Sequence, residues 1–322
     1  MPKWKYNAID LYRTLTQPLR GVSVRSMKSR GKLPVFILFY HRVSDDNLND
    51  WTITASKFAQ QMQWLQENFD IVDLEECQRR ISSGHNDRPT VAVTFDDGYR
   101  ENGEFALPYL IENRIPATYF VTTEHTLGQK PFLHDVQRNE PLPTDDAESL
   151  RAYSNGGIEI GAHTRTHPSM GDVNEPEQIV DEVITATREL EAAIGKQIRY
   201  FAFPFGKPVN LNPVVFHLLK ECGFLGVCSA FGGWNEIGGD AFHLQRIHGD
   251  PVFARIGNAL TYDPRVARVP PYDYSIDPED KATLERLQKT LELAKAELTP
   301  SSPMPLPESL GTIPAFTPTE QP

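Results

Sequence analysis

The sequence runs to 322 residues with 39% hydrophobic and 23% charged side chains, enough for one large α/β core with extensions, and ordinary for a globular chain. No apolar run approaches the ~20 residues needed to span a bilayer, and a formal net charge of -11 argues against general nucleic-acid affinity, which rests on basic surface. Cys77, Cys222 and Cys228 are odd in number and lack CxxC spacing, so reduced thiols are expected rather than a disulfide framework.

Residues 1–32 form a basic N-terminal extension, in which Lys3, Lys5, Arg13, Arg20, Arg25, Lys28, Arg30 and Lys32 face only Asp10. A solvated arm is the commoner reading of such a segment; peripheral contact with an anionic membrane is the alternative. Tyr6 to Val22 is broken by Asn7, Asp10, Arg13, Gln17 and Arg20, so no secretory signal is legible and a cytoplasmic setting is the expectation.

From Pro34 to Tyr40 the chain is nearly all apolar and β-rich, the pattern of a strand covered on both faces. Phe58, Met62, Leu65 and Phe69 then recur at helical spacing, followed by a short strand at Ile71 and Val72 and a helix from Leu74 to Ile81. Thr90–Phe95 reads as a strand, Phe105–Asn113 as a helix and Ala117–Thr122 as a strand, while Thr123–Glu148, with scattered charges and prolines, reads as a long loop or insertion on the functional rim. After a strand at Ile158–Ala162, Asn174 with Glu177 gives an amide version of the capping box, and Gly195 ends that helix after Ile179, Val183, Leu190 and Ile194. Strands at Tyr200–Phe203, Phe224–Cys228 and Leu244–Ile247 and a helix at Pro213–Cys222 complete the alternation. Such alternation predicts a parallel sheet, and seven or eight units favour a closed or nearly closed barrel over an open sheet. Residues 251–298 follow as an extension whose charged helix opens at Asp277-Pro278 and carries Leu284, Leu287, Leu291 and Leu298; residues 299–322, rich in proline and serine, read as a disordered tail.

The polar residues that matter stand at strand ends. Asp96 and Asp97 follow the strand Val91–Phe95 and precede Gly98; neighbouring strand side chains point to opposite faces, so two carboxylates serve one pocket only where the strand ends and the chain bends. Alone, an Asp-Asp-Gly turn needs no function. His163 and His167 form an HxxxH pair just after the next strand but one. Two imidazoles and one carboxylate make the three-ligand set of a catalytic zinc, with a position left for water; Asp97 would complete it and Asp96 stay free. Phe201–Gly206 is explained by a core strand with a Pro-Gly turn, and His248 after Arg246 as a structural histidine, if each is taken in isolation.

Together these pieces resemble the polysaccharide deacetylase family (the NodB-like domain, or carbohydrate esterase family 4). Thr94-Phe95-Asp96-Asp97-Gly98 matches its first motif, His163-Thr164-Arg165-Thr166-His167 its second and Phe201–Gly206 its third, in the family's order, over residues 33–250. Phe39-Tyr40-His41-Arg42-Val43 is similar to the branch acting on or beside exopolysaccharides. The resemblance implies a distorted (β/α) barrel of about seven parallel strands in which Asp97, His163 and His167 bind a divalent metal, zinc with cobalt or nickel as alternatives, and Asp96 is the general base. The family's third motif carries an arginine where this chain has Ala202, so Arg246 is the expected substitute; the last motif is not cleanly matched, and His248 is the expected general acid. Phe205, Trp234 and Tyr99 are the expected sugar contacts. An N-acetylated polysaccharide or oligosaccharide is the implied partner. A catalytically inactive carbohydrate-binding module and an O-acetyl esterase are the competing readings.

Overall fold

The computed structural model describes residues 3–249, 251–263 and 269–297; the tail expected to be disordered, and Leu298, lie outside them. In chain order the strands are β1 (Val35–Tyr40), β2 (Arg42–Val43), β3 (Thr52–Ile53), β4 (Asp70–Ile71), β5 (Thr90–Phe95), β6 (Ala117–Val121), β7 (Glu159–Ala162), β8 (Tyr200–Ala202), β9 (Gly226–Cys228), β10 (His243–Leu244) and β11 (Ile247–His248). The helices are α1 (Lys3–Ser29), α2 (Ala55–Asn68), α3 (Leu74–Ser82), α4 (Ala106–Glu112), α5 (Thr123–Gly128), α6 (Leu133–Gln137), α7 (Ala147–Asn155), α8 (Pro176–Ile179), α9 (Ala186–Ile194), α10 (Pro213–Glu221), α11 (Phe253–Leu260) and α12 (Pro278–Glu297), with a π-helical segment (Val180–Thr185) joining α8 to α9. Among the described residues no helix is long and apolar enough to cross a membrane.

β1 and β5 are buried at all six positions, which is why their sequences show no polar alternation. They pair in parallel from Val35 opposite Thr90 to Tyr40 opposite Phe95. β6, β7, β8 and β9 follow side by side, all parallel. The segment from His243 to His248 then pairs with β9 through its first half and with β1 through its second. It carries the sheet round towards its own beginning. The single strand expected over Leu244–Ile247 is split for that reason, because each half serves a different neighbour.

Alternate strand residues, Ile37, Ala92, Phe120, Ala202, Cys228 and Leu244, form one apolar cluster with Leu74, Cys77 and Ile81 of α3. The other parity, including Phe36, Leu38, Val91, Val93, Tyr119 and Val121, packs with the surrounding helices. α3 lies across the strand starts, where the Gln78 amide donates to the Leu225 and Ala241 carbonyls, both at 2.7 Å. The site is built at the opposite mouth, where the strands end.

Three expectations need correction. The rim stretch from Thr123 holds α5, α6 and the start of α7 rather than a plain loop. The helix expected to cap at Asn174 begins at Pro176, whose ring presets the helical φ and whose missing N–H costs nothing at the first position. The basic arm is a helix rather than a merely solvated strand of chain: Arg20, 5% exposed, donates to the Asn258 carbonyl and Thr261 hydroxyl and pairs with buried Asp263. α12 is the expected charged helix, with Leu284 and Leu287 buried.

Candidate active site

Along β5, Ala92 belongs to the interior cluster and Thr94 meets the interior guanidinium of Arg246 at 3.1 Å, so strand parity carries Asp96 inward as well. Asp97 would face away in a continued strand. Its backbone instead adopts φ 77°, and Gly98 follows at φ 97°, a pair of left-handed turns that sends both carboxylates into one cavity. A Cβ on Gly98 would stand 2.7 Å from Thr126 Cγ2, so glycine is required there by both conformation and space.

Asp97 Oδ1 lies 3.3 Å from His167 Nε2 and 3.5 Å from His163 Nε2. The oxygen is buried and accepts no hydrogen bond. One ligand atom from each of these three residues falls within 4.8 Å of the others. A buried carboxylate oxygen without a donor, facing two imidazole nitrogens, is chemically suited to a divalent cation. His163 supports this choice of nitrogen: its Nδ1 is 2.8 Å from the Ala202 carbonyl, and an N–H donated there leaves Nε2 with a lone pair on the Asp97 side.

Asp96 is held from the other direction. Arg246, fully buried, donates through Nη1 and Nη2 to its two oxygens at 2.7 and 2.8 Å, and through Nε to the Ser229 carbonyl at 3.0 Å. Burial pushes the Asp96 carboxyl up, but the Arg246 charge, His163 and the paired hydrogen bonds outweigh it and hold the group below its ordinary value. Burial opposes ionisation of Asp97 too, and the surrounding His41, His163 and His167 take it well below the usual range. Burial lowers His167, against the pull of Asp97. It also lowers His41, against the pull of both aspartates.

The His163–His167 loop is fixed from outside the barrel. Thr164 and His167 have φ 66° and 64°, and the Thr164 hydroxyl accepts from the His167 N–H at 3.0 Å. Glu182, on the π-helical segment and 4% exposed, accepts from the Arg165 and Thr166 N–H groups, both at 2.9 Å, and from the Thr166 hydroxyl at 2.6 Å. A π turn inserts one extra residue into a helix and so re-aims a side chain; here an acid is delivered to two backbone donors of the His163–His167 loop.

Asp96, Asp97, His163, His167 and Arg246 line a cavity of about 330 Å³ together with His41. Phe205, 57% exposed at φ 59°, and Trp51, 49% exposed, flank it. Tyr99 also lines it but is 3% exposed. Its hydroxyl is 2.9 Å from Asp135 Oδ2 and 3.0 Å from His134 Nε2, and its ring meets Phe132 and the Arg42 guanidinium, so it braces the wall. Two expected residues are elsewhere. Trp234 packs on Phe36 and Tyr262, beside the start of β1 rather than the cavity. His248 is not among the lining residues; its ring sits behind His41 at 6.1 Å, between Phe39 and Trp51.

His41 was overlooked as a chemical group. It follows directly on β1, in the same strand-end position that singled out Asp96 and His163, and its Nδ1 is buried without a hydrogen-bond partner. Asn102 pins its backbone, donating to the His41 carbonyl at 2.7 Å and accepting from the Val43 N–H at 2.9 Å. Trp51 had no sequence signal beyond being aromatic in a loop. Glu182 left a faint one, an acid among the apolar positions of its helix.

The polysaccharide deacetylase family model matches residues 83–227. Over 122 residues the chain is 31% identical to a chitooligosaccharide deacetylase of Bradyrhizobium sp. (strain ANU 289), covering 36% of this chain and 46% of that protein. Over 196 residues it is 24% identical to the poly-beta-1,6-N-acetyl-D-glucosamine N-deacetylase of Staphylococcus aureus (strain MRSA252), covering 58% of this chain and 63% of that one. The matched region thus spans roughly half the length of these curated relatives. In fold, the chain is similar to IcaB from Ammonifex degensii, with TM-score 0.59 and 23% identity over 71% of this chain and 97% of that one. It is likewise similar to the Streptococcus pyogenes deacetylase PplD, with TM-score 0.56 and 19% identity over 70% and 97%.

Proposed function

We propose, from the match of residues 83–227 to the polysaccharide deacetylase family model, that this protein is a metal-dependent hydrolase that removes N-acetyl groups from an amino-sugar polymer and releases acetate. The observation that carries the reading is the pairing of two carboxylates with opposite surroundings: Asp97 faces two imidazoles, with one oxygen unpartnered, while Asp96 is clamped by Arg246. Asp97, His163 and His167 would hold the ion, with zinc the first choice and cobalt or nickel alternatives. When bound, such an ion polarises a carbonyl and lowers the pKa of water to about 7.

The chain's own groups do the rest. Asp96 is the general base, taking a proton from the attacking water on a carboxylate oxygen. Arg246 keeps that carboxylate ionised and oriented, which is the work of the arginine absent at Ala202. The backbone N–H of Phe205, in its left-handed turn, meets the acetamide oxygen as charge develops there. The departing amine nitrogen needs a proton. His41 is better placed to give it than His248, because it lines the cavity and its buried Nδ1 is unpartnered. Trp51 and Phe205 would offer exposed ring faces to sugars.

The pairing of Asp96 with Arg246 favours catalysis over the inactive binding module, which has no use for an oriented base. The first test is metal content of the wild type beside His163→Ala and His167→Ala, followed by acetate release from N-acetylglucosamine oligomers. About one ion per chain, lost in both variants, together with acetate release by the wild type, is the expected result. No ion after reconstitution with zinc, cobalt or nickel would sink the reading.

A further inference from the structure

α1 has two faces of different chemistry. Its inner face places Val24 and Met27 against the main core and Arg20 in the buried pair with Asp263. Its outer face carries Leu11, Leu15, Leu19 and Val22, exposed by 59, 68, 75 and 58%. Spacings of four, four and three residues put these side chains within about 80° of one another around the helix, in a row about 16 Å long. Among the described residues no other helix or strand lines up more than two large exposed apolar side chains. A row of this kind marks a surface that is covered in use.

We infer that this row docks on an anionic lipid surface. The charge distribution selects that occupant. The first 32 residues hold eight bases against one acid although the whole chain carries -11, so an anionic surface attracts this helix and repels the body behind it. Exposed Arg25 and Lys28 flank the row on one side, about 60° and 120° round the helix from Val22 on its last turns, the arrangement of an interfacial helix with apolar residues in the acyl boundary and cations among the headgroups. A second copy is the poorer fit. Two such helices face to face would oppose their cations, and the acidic body offers no matching apolar row.

The test is co-sedimentation of the full chain with phosphatidylcholine vesicles, with and without phosphatidylglycerol, beside sedimentation velocity without lipid. The wild type should pellet with the anionic vesicles only. Leu15→Glu/Leu19→Glu should lose this binding, and Arg25→Glu/Lys28→Glu should weaken it by at least about tenfold, at roughly 1 kcal/mol per base, with helical circular dichroism and melting temperature unchanged in both. Failure of the wild type to pellet overturns the inference, as does equal pelleting of the variants. A dimer dispersed by Leu15→Glu/Leu19→Glu without vesicle binding would assign the row to a second copy instead.

Discussion

Asp96 and Asp97 share a peptide bond and differ in everything around them, so their substitutions should separate cleanly. Asp96→Asn keeps the shape beside Arg246 while removing the base. Metal content should be unchanged and acetate release should fall at least about a hundredfold; near-normal turnover would remove Asp96 from the chemistry. The two histidines of the proton-donor question separate on leaving group. An alkoxide leaves more readily than an amine, so His41→Ala should cost amide cleavage far more than cleavage of an acetyl ester, whereas His248→Ala should disturb both little. The reverse pattern would return the role to His248. A further residue, Asp145, sits outside the cavity lining, against the hydroxyls of Tyr119 and Tyr153. Burial lifts Asp145 from its ordinary 3.8 to about 7, against hydrogen bonds from Tyr119 and Tyr153. The folded state therefore keeps a proton that the unfolded chain gives up. Its contribution to stability is complete below about pH 4, declines as pH rises towards 7, and is gone above that, at no more than roughly 1.4 kcal/mol per unit. Urea titrations at intervals from pH 4 to 8 should show that decline in the wild type and a flatter profile in Asp145→Asn; parallel profiles would mean Asp145 is ionised in the native protein.

At the scale of elements, the His163–His167 loop depends on a helix it does not belong to. Glu182→Ala should free the Arg165 and Thr166 N–H groups, cutting metal affinity by about 10- to 100-fold, the usual range for a group that orients ligands. Titration of the apoprotein with zinc reads this directly, and unchanged affinity would show the loop to be self-supporting. The same dependence explains what the sequence revealed and what it hid. Asp96, Asp97, His163 and His167 were legible because strand ends and short spacings are local, and both motifs fall in one continuous stretch. His41 and Arg246 are coupled to that stretch only through pairing of β1 with β5 and β11, which no periodicity encodes. Arg246 follows from asking what replaces a missing arginine, whereas His41 and His248 stand at the ends of paired strands, and which of the two lines the cavity depends on that pairing. Trp234 and Trp51 were equivalent as aromatic residues in loops; the end of the barrel each occupies is a tertiary fact. The inserted π turn also escaped, since its sequence reads as an ordinary amphipathic helix.

At the scale of the whole molecule, the clamp on Asp96 is also a tie between distant parts of the chain. Arg246→Met should leave an unpaired buried carboxylate and cost about 3–5 kcal/mol in unfolding free energy, read by urea denaturation; a loss below 1 kcal/mol would mean that Asp96 protonates or finds water instead. That tie has a consequence in time. Asp97, His163 and His167 are all on the first 167 residues, whereas Arg246 is 150 positions beyond Asp96 and rides on the last segment to join the sheet. During synthesis, the proposed ion-binding residues emerge from the ribosome well before the arginine that orients Asp96. A nascent chain paused short of His243 would therefore have Asp97, His163 and His167 but no oriented Asp96, and the proposed hydrolysis would await docking of the final strand pair.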